Sequence, residues 1–85
     1  MWKIILLPEA IKDLNVLDKD ATSQITKKLE VLEQTTSPRL EKLEGFDYYK
    51  LRAGDYRIIV VLDNKTQTIE VRKIGHRKKI YKGLK

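Results

Sequence analysis

Two periodicities divide the chain. Ala10, Ile11, Leu14 and Leu17 recur at helical spacing, and so do Ala21, Ile25, Leu29 and Leu32, each set forming one apolar stripe. From Tyr49 onward the period falls to two: Tyr49 and Leu51, then Tyr56, Ile58, Val60 and Leu62, then Ile69 and Val71. Alternation of this kind predicts three half-buried strands. Pro8 suits the first turn of a helix, because its φ is fixed and the N–H it lacks would have had no helical partner. Asp18 or Asp20 supplies the N-cap of a second helix, whose water-facing residues are Lys27, Lys28, Glu30 and Glu33. That helix ends before Pro38, which disfavours helical geometry at Ser37.

The remaining segments complete the order. Trp2 to Leu7 reads as a first strand running directly into the Pro8 helix. Leu40 and Leu43 dock the connecting loop on the core, Gly45 opens the strand region, and Asp63-Asn64-Lys65 carries turn chemistry. Gly75 is expected to break the last strand, and Arg77 to Leu84 forms a short basic tail. The expected fold is α+β in the order β-α-α-β-β-β: a helical hairpin packed on one face of a mostly antiparallel four-stranded sheet. The other face is left open, and it is the natural place for the cations.

Length and charge narrow the function. Eighty-five residues make a single domain, 1–85, and no apolar run approaches the roughly 18 residues of a membrane span. A soluble, cytoplasmic protein with no membrane partner is expected. Zero cysteines exclude disulfides and thiolate metal sites, and one histidine argues against a zinc cluster, so neither metal nor cofactor is expected. Met1 to Leu43 holds seven basic and seven acidic residues, whereas Glu44 to Lys85 holds eleven and five. The whole net charge of +6 therefore lies in the second half, which points to an anionic partner such as nucleic acid.

The segment Tyr48-Tyr49-Lys50-Leu51-Arg52-Ala53-Gly54-Asp55-Tyr56-Arg57 concentrates the candidate chemistry. A hairpin loop of two residues, Ala53-Gly54, or of four, Arg52 to Asp55, would set Leu51 opposite Tyr56 and Lys50 opposite Arg57. Directly opposed cations repel by a few tenths to about 1 kcal/mol, and a bound phosphate would reverse that sign. A three-residue loop ending in Gly54 would pair Leu51 with Asp55 and separate the cations. Farther on, Gly75-His76-Arg77 is followed by Tyr81, which a helical turn would place on the face of Arg77. Arginine forks match phosphate oxygens and tyrosine offers a stacking surface, a combination suited to single-stranded RNA.

At these residues the chain resembles toxins of the RelE/ParE superfamily. Pro8-Glu9-Ala10-Ile11-Lys12-Asp13-Leu14 is similar to that family's first helix, Leu43-Glu44-Gly45 to its entry into the sheet, and Leu51 to Arg57 to its central signature. Gly75-His76-Arg77 with Tyr81 is similar to its C-terminal signature. The likeness spans nearly the whole chain and implies a toxin that cleaves mRNA in the ribosomal A site. By this resemblance Lys50 acts on the attacking 2′-hydroxyl, Arg57 stabilises the phosphorane, Arg77 lies near the leaving group, and Tyr81 orients or stacks on the mRNA. Arg52, His76, Lys78, Lys79 and Lys82 are the further RNA-binding candidates. Such chemistry needs proton transfer and anion stabilisation rather than a metal.

Two departures are visible. The bacterial RelE pattern has a second lysine two residues before the one matching Lys50, and here Tyr48 stands in its place. Gly-His-Arg is shared with relatives that use histidine and with ParE-type toxins acting on DNA gyrase. A gyrase inhibitor without nuclease activity and a non-catalytic RNA-binding module are therefore the alternatives. The toxin readings imply a cognate antitoxin, an acidic segment wrapped over the basic face in a hetero-oligomer, with ribosome and mRNA as the other partners.

Overall fold

The computed structural model describes residues 2–35, 40–45 and 47–76. Strand β1 (Lys3–Leu6) is followed by α1 (Pro8–Asn15), α2 (Lys19–Gln34), β2 (Glu41–Lys42), β3 (Tyr49–Ala53), β4 (Tyr56–Asp63) and β5 (Thr68–His76). The strands form one mixed sheet in the order β1-β5-β4-β3-β2, parallel between β1 and β5 and antiparallel elsewhere. The α+β class and element order follow the sequence reading. The four-stranded expectation is corrected to five among the described residues, because Glu41 and Lys42 pair with Lys50 and Tyr49. A two-residue strand is too short to show a period.

Helix α2 forms as its pattern predicts. Asp18 caps it, its Oδ1 accepting from the Ala21 N–H at 2.8 Å, and Ala21, Ile25, Leu29 and Leu32 are all buried. It lies across β1, β3 and β4, while α1 packs along β5. In α1 only Ala10 is fully buried. Leu14 and Leu17 pack against the core, but Ile11 turns outward and is 44% exposed. The core between helices and sheet joins Ile25, Leu29 and Leu32 to Ile58, Val60, Ile69, Val71 and Ile74, with Trp2, Ile4 and Leu6 closing the β1 side. No helix among the described residues is long and apolar enough to cross a membrane.

Strand β5 departs from the expected pattern in two ways. Gly75 does not break it: Gly75 pairs with Arg57, and the ladder runs on to His76 opposite Tyr56. The register also shifts between Ile59 and Val60, which pair with Lys73 and Val71, so Arg72 is an extra residue in a β-bulge. The bulge explains why the core residues of β5 run Ile69, Val71, Ile74 rather than at a strict period of two.

Beyond Val71, β5 has no strand partner on the β1 side, since β1 ends at Leu6 and Leu7 donates to the Val71 carbonyl at 3.0 Å. Helix α1 takes over this edge. Asp13 Oδ2 accepts from the Ile74 N–H at 2.8 Å, and Glu9 Oε1 meets Lys73 Nζ at 3.2 Å. The helix thereby supports the end of β5 that leads into Arg77.

Candidate functional site: a cationic sheet face

The β3–β4 hairpin has a two-residue loop, Gly54-Asp55, with Ala53 opposite Tyr56 and Arg52 opposite Arg57. Gly54 has φ +62° and Asp55 a negative φ, the signature of a type II′ turn with glycine first. The even loop length keeps the expected face assignment. Tyr49, Leu51, Tyr56 and Ile58 turn to the core, while Lys50, Arg52 and Arg57 share the opposite face. The expected partner is corrected, however: Arg57 faces Arg52 directly, and Lys50 faces Ile59. Lys50 and Arg57 are diagonal neighbours, about 7–8 Å apart at the backbone, still within joint reach of one phosphate.

Arg57 is anchored. It is only 8% exposed, and its Nη1 donates to the carbonyls of Tyr56 at 3.0 Å and Gly54 at 3.3 Å. The turn thus fixes one corner of the guanidinium and offsets its repulsion from Arg52. Nε and Nη2 donate to no acceptor among the described residues, and neither is buried without a partner. Those donors remain available to an anion. Gly54 also lies against α2, where a Cβ would collide with the end of the Gln24 side chain.

Lys50 is held differently. Its Nζ lies 3.5 Å from Glu41 Oε2 on β2, and its side chain is one-third exposed. Beside this pair is a shallow cavity of about 320 Å³ lined by Lys28, Glu41, Lys50, Leu51 and Arg52. Lys28 of α2 thus brings a further cation to the β3 edge. The helical period assigns Lys28 to solvent, and Glu41 carries no sequence signal because its two-residue strand has no pattern.

The face is not as open as expected. Ile59 lies on it and is wholly buried. The guanidinium of Arg72 stands over the Tyr48 ring, 5.5 Å from its centroid. Since β4 lies between β3 and β5, that contact carries the Arg72 side chain across the strand bearing Ile59.

His76 is not brought to this group. It pairs with Tyr56, and the two rings meet edge to face at 5.9 Å on the core side of the sheet, beside a cavity of about 440 Å³ lined partly by Asp13, Leu17 and Ile74. The sheet separates it from Lys50 and Arg57. Arg77, Lys78, Lys79, Tyr81 and Lys82 lie outside the described residues.

A single mixed sheet with two helices on one side and arginines and a lysine on the other defines a class of small basic α+β proteins. Within that class the assignment is specific: the family model for the ParE toxin of type II toxin–antitoxin systems, parDE, matches residues 4–81. The chain belongs to the RelE/ParE superfamily of toxins, close to RelE. The archaeal RelE–RelB complex from Pyrococcus horikoshii OT3 superposes with a TM-score of 0.77 at 28% identity, covering 92% of this chain and 97% of that one. The intact Escherichia coli RelBE toxin–antitoxin complex gives 0.72 at 33% identity, covering 89% and 96%. The RelB–RelE complex from Methanococcus jannaschii gives 0.76 at 25%, covering 95% and 99%. No curated protein sequence matches.

Proposed function

We propose that this toxin is a metal-independent endoribonuclease that cleaves mRNA in the ribosomal A site and thereby stops translation. The observation that carries the reading is the grouping of Lys50, Arg52 and Arg57 on one sheet face, with Arg57 pinned through Nη1 and its other donors available. In the reaction the ribose 2′-oxygen attacks the adjacent phosphorus, and the bond from phosphorus to the 5′-oxygen breaks. A 2′,3′-cyclic phosphate and a 5′-hydroxyl result. Lys50 takes part in moving the 2′-hydroxyl proton, and release from Glu41 frees it to do so. Arg57 donates to the phosphorane oxygens. Because its guanidinium is already fixed by the turn, little reorganisation is needed when charge develops, which is the condition under which such donors are most effective. Arg77 serves the leaving oxygen and Tyr81 orients the mRNA; Arg52, Lys28 and the basic residues 78, 79 and 82 hold its backbone.

The test is a toeprint of translated mRNA. Wild type should yield a new stop in the A-site codon, and Lys50→Ala/Arg57→Ala/Arg77→Ala should not; no cleavage by wild type, or full activity in the triple variant, would sink the proposal. The match to ParE toxins favours a second reading, inhibition of DNA gyrase. Normal supercoiling with toxin in excess would count against it. In either case the partner is a RelB-like antitoxin, in keeping with the RelE–RelB complexes of similar fold. Co-expression with a neighbouring acidic reading frame should restore growth and yield a stable complex.

A further inference from the structure

Nothing in the proposed chemistry uses the bulge in β5, yet the bulge changes what the cationic face presents. Without an extra residue at Arg72, side chains on β5 would alternate from Val71 onward with no break. With it, both Arg72 and Lys73 stand opposite Ile59. Lys73 turns round the open edge of β5 to Glu9, at 3.2 Å, and Arg72 crosses β4 to Tyr48. Its side chain remains 43% exposed. Tyr48 precedes Lys50 by two residues on the same face, about 7 Å along the strand. A planar cation on an aromatic ring is therefore built directly beside the lysine of the proposed site.

From this arrangement we infer that Tyr48 and Arg72 form a stacking site for one unpaired nucleobase of the RNA, next to the phosphate held by Lys50 and Arg57. The inference rests on the reading of this face as an RNA site. A base is the ligand the local charges favour. Arg72 Nη1 lies 3.8 Å from Glu70 Oε1, so a phosphate or carboxylate arriving here would meet Glu70 as a like charge. The flat face of a neutral base meets no such opposition. It can stack on the guanidinium plane, whose orientation Tyr48 supports from beneath. Where a second lysine would have added charge, this chain offers a surface that reads the presence of a base.

The test uses a five-nucleotide single-stranded RNA, 2′-O-methylated throughout to prevent cleavage, and a series in which each position in turn is abasic. Binding to the free toxin is followed by fluorescence anisotropy. For wild type, one abasic position should weaken binding about tenfold, the low end of the range for losing one stacked base. Tyr48→Leu should weaken binding of the intact RNA about as much and become indifferent to that position, whereas Tyr48→Phe should behave as wild type. Arg72→Gln should repeat the Tyr48→Leu pattern, and it is read in its place should Tyr48→Leu melt early. Failure to bind the RNA, penalties below twofold at every position, or equal penalties in wild type and variants would overturn the inference. A-site cleavage is scored in parallel on unmodified mRNA: position-specific coupling without cleavage upholds the base site and overturns the nuclease reading, and cleavage without coupling does the reverse.

Discussion

Removing the Asp13 carboxylate tests how the end of β5 is held. Asp13 sits in the last turn of α1, where a negative charge opposes the helix dipole and aspartate is a mediocre helix former. Its place there is explained by the 2.8 Å bond from the Ile74 N–H on the edge of β5 that β1 leaves uncovered. A hydrogen bond to a charged group contributes about 1.5–3 kcal/mol. Asp13 is only half-buried, so the lower end of that range applies, and alanine recovers about 0.5 kcal/mol through better helix propensity. The net cost of Asp13→Ala is about 1–1.5 kcal/mol. With an unfolding entropy of about 2.1 cal/mol/K per residue, this 85-residue chain should lose about 6–8 °C in Tm. Asp13→Asn keeps an acceptor oxygen and should lose about half as much. Circular dichroism gives the melting points, and amide exchange should show the Ile74 proton about tenfold less protected in the alanine variant. A melting point within 2 °C of wild type, or unchanged protection at Ile74, would refute the clamp.

Three further outcomes follow from the same contacts. Gly54→Ala places a side chain at φ +62° against Gln24 and should cost about 1–2 kcal/mol; pairing it with Gln24→Ala should return part of that in a double-mutant cycle, and strict additivity would count against the contact. Asp18→Ala removes the cap of α2 and should cost about 1 kcal/mol in urea unfolding, with Asp18→Asn close to neutral; equal losses would contradict a capping role. Arg57→Lys loses both the fork and its carbonyl anchors, and single-turnover cleavage should fall about 100-fold while substrate binding changes little; a purely structural role would instead lower folded protein and activity together.

Much of this molecule was legible in its sequence, and what was not has identifiable causes. All four stripe residues of α2 are buried because a 16-residue amphipathic helix repeats its signal over four turns. Eight-residue α1 repeats it too few times, and Ile11, on the stripe by spacing, lies on the exposed side. The hairpin's face assignment survived because it depends only on the parity of the loop. The exact register did not, since Ala53-Gly54 and Gly54-Asp55 are both even. Glycine at the first central position was the clue, because a type II′ turn demands positive φ there. The step of three from Val71 to Ile74 is the sequence's one trace of the bulge at Arg72, and a period of two does not reach Ile74. Lys50 and Arg57 share a face in the sequence because residue type and period agree, whereas Arg52 joins them, opposite Arg57, only once the loop is Gly54-Asp55. Glu41 and Asp13 carry no such signal, since each acts across a separation that sequence spacing does not encode.

In the proposed reaction this face promotes attack by a ribose 2′-hydroxyl on the neighbouring phosphate. Ribosomes programmed with mRNA bearing a single 2′-deoxynucleotide at the scissile position of the A-site codon remove that nucleophile. Cleavage there should disappear, while the all-ribose mRNA is cut to leave a 2′,3′-cyclic phosphate and a 5′-hydroxyl. Continued cutting at the deoxynucleotide, or an all-ribose mRNA that wild-type toxin leaves intact, would rule out attack by the 2′-hydroxyl.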